Sequence, residues 1–279
     1  MAKIEVIKRS GMREPFKAEK VRKAVMRAGA SEKLAEKVVE KVKRNIYDGI
    51  TTNEIYNIAF KFLDKERYSI ASLYDLKRAI MRLGPAGYSF ETYIGEILRE
   101  HNHRVMVRQI LRGMCVEHEI DIISYNGSNG YTLIECKYHN KEGIYTGLKP
   151  VLYTYARYLD LCERWESDRD CIRFGSVMLV TNTKFSSKAI QYAKCRGIEL
   201  LGWRYPKDNG INSLIESKGL YPLTILRKID PVSKRKFADA NIMLIKDLVY
   251  MKLEELSMKT NIPENKLRDI VDEAKNIIY

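Results

Sequence analysis

Apolar residues along this chain change their spacing twice, and no single-layer fold accommodates both changes. From Val21 to Phe62 they recur every three or four residues: Val21, Ala24, Val25 and Ala28, then Leu34, Val38 and Val42, then Ile55, Ile58 and Phe62. That is the period of helices packed through one face. Ahead of them, "KIEVIK" alternates as a short strand, "RSGM" turns, and a second short strand ends near Phe16. The stretch "LGPAG" at 83–87 then breaks the helical pattern, with Pro and two Gly in five residues. Beyond it "RVMVRQIL", "HEIDIISY" and "YTLIECK" read as strands, with turn residues "NGSNG" at 126–130. They lie among the helical stretches "SFETYIGEILREH", "GLKPVLYTYARYLDLCERW" and "SSKAIQYAKCRG" and the apolar strands "GSVMLVTN" and "IELLGW". From residue 221 the pattern is helical again. The expected class is therefore an α+β multidomain protein in three parts. Residues 1–83 form a hairpin plus a small helical bundle, 84–219 an α/β domain with a mixed sheet, and 220–279 an all-α domain. Ser31 and Thr52 mark helix entries as caps, neither as a full capping box.

At 279 residues the chain is long enough for two or three domains with real cores. No apolar run reaches about 18 residues, so no membrane partner is expected. The start "MAKIEVIKRS" lacks the apolar stretch of a secretory signal. Five scattered cysteines with no C-x-x-C pair fit reduced thiols and a cytoplasmic location. The net charge is +13, and residues 1–84 hold 20 Lys and Arg against 11 Asp and Glu. A polyanionic partner is implied, and the N-terminal segment needs an anion of its own.

The stretch "HEIDIISYNGSNGYTLIECKYHN", residues 118–140, puts ionisable groups where a buried strand wants core residues. Glu135 and Lys137 share a face, and Cys136 turns the other way. Asp121 ends the apolar part of the neighbouring strand. Charged groups closing apolar strands cost free energy unless partners meet them, and two converging carboxylates are satisfied by a divalent cation. Oxygen ligands of this kind suit Mg²⁺ or Mn²⁺. Such an ion activates water and stabilises charge on a phosphoryl oxygen, while Lys137 orients the water or neutralises developing charge. His118 and His139 flank the pair as surface or supporting histidines. An ion-paired edge strand would carry the same triplet.

The stretches "YSFETYIGEIL", "HEIDIIS", "YTLIECKYHN" and "VMLVTNTKFSSKAIQYAKCRGIELLGW" together resemble the Mrr-like branch of the restriction-endonuclease-like (PD-(D/E)xK) superfamily, over roughly residues 87–206. Archaeal Holliday-junction resolvases belong to the same superfamily. The resemblance implies a restriction-endonuclease-like sheet with catalytic residues Glu91, Asp121, Glu135 and Lys137. It implies metal ligation by Asp121, Glu135 and the backbone carbonyl of Cys136. Glu96 competes with Glu91 on the same helix, and Glu91 is preferred. Many members carry a Gln on the helix after E-x-K. Here that helix reads "YTYAR", and Tyr155 and Arg157 are the nearest polar side chains.

"VIKRSGMREPFKAEKVRKAV" offers a second anion site. Lys8 and Arg9 end a strand before Gly11, and Lys17 and Lys20 open a helix whose free N–H groups favour anions. No Walker motif occurs in the chain. The stretch resembles the ATP-cone, a regulatory nucleotide-binding domain, over residues 3–83. The match runs through Val6, Lys8, Arg9, Gly11, Phe16 and Lys20, with Ser10 where Asp is usual and a later polar pair at Thr52 and Tyr56. The resemblance implies ATP or dATP as an effector rather than a substrate. A basic module touching DNA phosphates directly is the alternative.

The C-terminal stretch from Leu226 resembles helix-hairpin-helix domains, which hold a DNA backbone. Asn241 and Asn261 stand where hairpin glycines are usual, and Asn tolerates positive φ better than most residues. Docking or dimerisation is the competing role. Taken together, the expected function is a Mg²⁺-dependent DNA endonuclease, cleaving phosphodiesters with a metal-activated water and regulated by ATP or dATP. The alternatives are a catalytically silent ATP-responsive DNA-binding regulator and a Holliday-junction resolvase-like homodimer.

Overall fold

A computed structural model describes residues 4–84, 90–127, 130–141 and 143–278. Residues 85–87 of the expected break and 128–129 of the expected turn lie outside them. The chain divides into two compact units, Met81–Tyr221 and the pair of segments Met1–Ile80 and Pro222–Tyr279. The first and last segments of the sequence thus pack as one body, a pairing that the linear order does not announce.

In that body, β1 (Glu5–Ile7) pairs antiparallel with β2 (Arg13–Pro15) and parallel with β3 (Ile50–Thr51). The helices α1 (Ala18–Arg27), α2 (Glu32–Lys43), α3 (Thr52–Glu66), α4 (Tyr68–Tyr74) and α5 (Leu76–Met81) follow. Their 3/4-spaced residues Val21, Val25, Val38, Val42, Ile55 and Leu63 close over Val6 and Ile50 in one buried cluster. Ser31 caps α2 by accepting from the Leu34 N–H. The cap of α3 is Thr51 rather than Thr52, and it forms a full capping box with Glu54. The box requires the acid three positions after the cap, and only position 51 satisfies that spacing.

The last segment holds a 3-10 turn (Leu223–Ile225) and α10 (Pro231–Asp239), α11 (Ile245–Tyr250), α12 (Leu253–Thr260) and α13 (Glu264–Ile278). Asn241 and Asn261 adopt φ of 55° and 51°, so the turns keep the left-handed geometry for which glycine is usual. Several contacts among the described residues join this segment to the first. Thr224 donates to the Ala79 carbonyl at 2.7 Å. Arg227 pairs with Asp64 at 2.6 Å and lies over the rings of Phe60 and Tyr68. Glu273 on α13 is 3% exposed, and accepts from the N–H groups of Arg227 and Lys228 at 2.8 and 2.9 Å and from the Tyr68 hydroxyl.

The other unit is built on a five-stranded sheet in the order β10-β8-β6-β5-β4. Its strands are β4 (Arg104–Arg112), β5 (Glu117–Tyr125), β6 (Tyr131–Lys137), β8 (Phe174–Thr181) and β10 (Glu199–Leu201). β4, β5 and β6 form an antiparallel meander, and β6, β8 and β10 run parallel. This mixed sheet agrees with the alternating pattern. A two-stranded parallel pair, β7 (Tyr145–Thr146) with β9 (Lys184–Phe185), is an addition that strands this short do not signal. The helix α6 (Phe90–Glu100) packs on β4 and β5. Two further helices, α7 (Leu148–Ser167) and α8 (Ser187–Arg196), bury Val151, Leu161, Ala189 and Ala193 against Leu133, Val177 and Leu179 of the sheet. A last helix, α9 (Ile211–Lys218), closes the unit. None of the described helices is long and apolar enough to cross a membrane.

Candidate functional site

Strand register assembles the acids. β5 and β6 pair Ile123 with Leu133 and Ile122 with Ile134, and one more step sets Asp121 across from Glu135. Residues directly opposite on an antiparallel pair share a face, with Cβ atoms roughly 4.5–5.5 Å apart. The ladder is not continued there by backbone. Instead the Cys136 N–H donates to Asp121 Oδ2 at 2.7 Å. On the far side, β6 continues its register with β8 through Glu135↔Leu179 and Lys137↔Thr181. Lys137 is exposed at the strand end.

The electrostatics record that convergence. Burial and the charge of Asp121 push the Glu135 carboxyl up to about 7, against the pull of Arg157 and Lys137. Burial also raises Asp121, aided by the nearby charge of Glu91 in the first turn of α6 and opposed by the bond from Cys136. Glu91 is thus near enough to bear on this group electrostatically, while Glu96 is paired with Arg99 of its own helix at 2.5 Å. The structure thus brings Glu91, Asp121, Glu135 and Lys137 into one neighbourhood.

Two arginines also belong to it. Arg157 of α7 pairs with Glu135 at 2.6 Å, the two side chains being 10% and 19% exposed. Arg108 interrupts the β4–β5 ladder between Val107↔Ile122 and Gln109↔Ile120, opposite Asp121, at φ 51°. It donates to Thr92 on α6 at 3.4 Å. A non-glycine residue in the left-handed region is strained by about 1 kcal/mol or more, a cost commonly met at functional positions. Nothing in the regular alternation of "RVMVRQILR" marks Arg108. Tyr155, the other polar neighbour expected on α7, stacks with Tyr158 and meets Tyr192 edge-on.

The histidines serve the frame. His118 bonds Asp160 at 2.7 Å, and the Cys115 N–H donates to the same carboxylate at 2.8 Å. His139 bonds Thr146, which bonds Thr181, whose hydroxyl donates to the Lys137 carbonyl at 2.7 Å. Asn182 clasps the His139 backbone through both N–H and carbonyl. This buried polar network holds the strand end that carries Lys137.

Among the described residues no group of three or more His, Cys, Asp and Glu stands in metal-holding geometry. The hard-oxygen donors Asp121 and Glu135, with the Cys136 carbonyl, fit Mg²⁺ or Mn²⁺ in kind. The raised carboxyls of the acidic pair are what a divalent cation would relieve.

In the N-terminal domain Glu14 lies between two cations, with Lys8 and Lys20 each 2.7 Å from it. Bonds from Lys20 and Lys8 hold its carboxyl at about 2. Gly11 makes the intervening turn at φ 81°, its N–H donating to the Lys8 carbonyl. Arg9 lies in the same turn, Lys17 occupies the cap position of α1, and Val6 is core. Thr52 opens α3. Tyr56 belongs to a second cluster, stacked on Tyr74 and Phe60, beneath Arg78 at 3.5 Å, and bonded to Asp75. No local pattern marks Glu14, since its two lysines come from different elements of the fold.

Comparisons with known proteins follow the same division. The ATP cone domain matches residues 4–80, and the domain described as AF1548-like, C-terminal, matches 221–278. An uncharacterized protein of Archaeoglobus fulgidus is 40% identical over 185 residues, which cover 66% of this chain and 99% of that protein. The chain belongs to the AF1548-like family. The crystal structure of AF1548, a protein of unknown function, is similar at 39% identity and a TM-score of 0.59, covering 67% of this chain and 96% of that one. Can2 of Sulfobacillus thermosulfidooxidans, solved in complex with cyclic tetra-adenylate, aligns at 13% identity and a TM-score of 0.33, over 75% of this chain and 64% of that one. That likeness is too loose to carry an argument. The cone match supports adenine-nucleotide binding, and so a nucleotide-linked function for this AF1548-like chain.

Proposed function

We propose that the chain is a divalent-metal-dependent DNA endonuclease whose N-terminal cone responds to ATP or dATP. The observation that carries this reading is the strand register that sets Asp121 across from Glu135, with Lys137 on the same face of β6. Asp121, Glu135 and the Cys136 carbonyl would hold Mg²⁺ or Mn²⁺, with Glu91 at the margin. The ion supplies Lewis-acid chemistry toward a phosphate oxygen and water. The protein's own residues do the rest. Lys137, exposed at the strand end, neutralises charge developing on the phosphate. Arg108 presents a further cation to the backbone on the β4 side. The network of Thr181, Thr146, His139 and Asn182 holds the Lys137 backbone in position, so little reorganisation is needed during reaction.

The test is cleavage of linear, nicked, modified and four-way-junction DNA by the full chain in Mg²⁺ or Mn²⁺, with and without ATP and dATP. Wild type is expected to cut at least one substrate, and Asp121→Asn and Lys137→Ala to lose the cut with circular dichroism unchanged. DNA retained without products by wild type would instead favour an ATP-responsive DNA-binding regulator. Calorimetry with ATP and dATP tests the cone separately.

A further inference from the structure

Arg157 is the side chain that meets Glu135, across 22 residues of sequence. Its Nη1 donates to Glu135 Oε2 at 2.6 Å and to the Glu119 carbonyl at 2.9 Å. Its Nη2 donates to the Tyr153 hydroxyl at 2.9 Å, and the guanidinium lies 4.6 Å from the centroid of that ring. Its Nε is buried with no hydrogen-bond partner. An arginine fork can grip a carboxylate through two parallel bonds. This one uses a single nitrogen on Glu135, shares it with a carbonyl, and leaves a buried donor unmet. The arrangement neutralises Glu135 without satisfying the arginine.

We propose that Arg157 is a built-in counter-ion which competes with the divalent cation for Glu135, so that the metal binds only when the guanidinium leaves Oε2. This rests on Asp121 and Glu135 being the metal pair. The competition is steric and electrostatic. A Mg²⁺ ion needs carboxylate oxygens at about 2.1 Å in a near-octahedral shell, and the guanidinium already occupies Oε2 at 2.6 Å. Two cations on one oxygen repel strongly in a half-buried setting. Arg157 thereby sets the concentration of metal at which the site fills. It is a positioning residue, because it acts through Glu135.

Manganese binding to the full chain, followed by electron paramagnetic resonance of free Mn²⁺, tests this without any substrate. Wild type, Arg157→Gln and Asp121→Asn are titrated in parallel. The expected result is that Arg157→Gln binds Mn²⁺ at least about tenfold more tightly than wild type, and Asp121→Asn loses the site. A merely structural Arg157 predicts the reverse, since its loss would loosen the site. Equal or weaker binding by Arg157→Gln, with Asp121→Asn still losing the ion, overturns the competition and leaves the metal pair standing. Binding by none of the three overturns both. Should Arg157→Gln not fold, Arg157→Met retains the packing of the stem and carries the same expectation.

Discussion

Glu14 in the cone and Glu135 in the sheet are both carboxylates held by cations of the same chain, and they differ in what surrounds them. Glu14 lies between Lys8 and Lys20 at the surface, with side chains 25%, 37% and 57% exposed. Glu135 lies under a single arginine at 19% exposure, beside a second carboxylate. Exposed pairs contribute little, because water and salt screen them. Lys8 and Lys20 can therefore leave Glu14 for another partner at small cost. A half-buried carboxylate pair is expensive to leave without its counter-charge. Glu135 thus gives up its counter-charge less readily than Glu14 does. The same pairing is loose at the surface and a constraint in the interior.

The largest expected effect separates the two regions by activity. Asp121→Asn or Lys137→Ala should lower DNA cleavage by about 10²–10³-fold, the scale of removing one charge-stabilising group. Glu14→Gln should leave cleavage without nucleotide unchanged while tightening adenine-nucleotide binding. Calorimetry on Glu14→Gln that shows weaker binding would break the comparison.

Arg108→Gly should raise thermal stability by about 1 kcal/mol through relief of the left-handed strain, while lowering cleavage. A fall in melting temperature would mean that the bond to Thr92 outweighs the strain.

The two carboxylates should also titrate with opposite sign. Glu14 is held at about 2, below its usual 4.5. Its contribution is present above pH 4.5 and is lost as pH falls through about 2. Glu135 is raised from 4.5 to about 7, so the folded protein binds the extra proton and loses stability as pH rises from 4.5 to 7. Chemical denaturation of wild type and Glu135→Gln across that window should converge at low pH and diverge toward neutrality, with Glu135→Gln the more stable. Parallel curves would show that the Glu135 carboxyl takes up no proton in that window. The smallest effect expected is about 1 kcal/mol of stability lost on Thr51→Ala, from the capping box of α3, measured by thermal melting.

Much of this molecule was legible in its sequence where the pattern was local. Period-2 alternation located β4, β5 and β6, and so the face shared by Glu135 and Lys137. Tolerance of Asn for positive φ accounted for Asn241 and Asn261. The α3 cap was misplaced by one residue, because Thr51 and Thr52 are adjacent and only the spacing to Glu54 separates them. Arg157 could be named as a nearby polar group on the following helix, but its bond to Glu135 depends on how α7 lies across the sheet.

Other features depended on contacts remote in sequence. Glu14 between two lysines, Arg108 bonded to Thr92 of α6, and Glu273 buried on the backbone of Arg227 and Lys228 are meetings that no local pattern encodes. By itself the sequence determined the periods, the caps, the surplus of positive charge in the first third, and the residue types able to bind metal and phosphate, since these depend on neighbours within a few positions. Only the tertiary structure decided which charge meets which. It also decided that the first and last segments share a body, because burial and pairing are properties of surfaces brought together from distant parts of the chain.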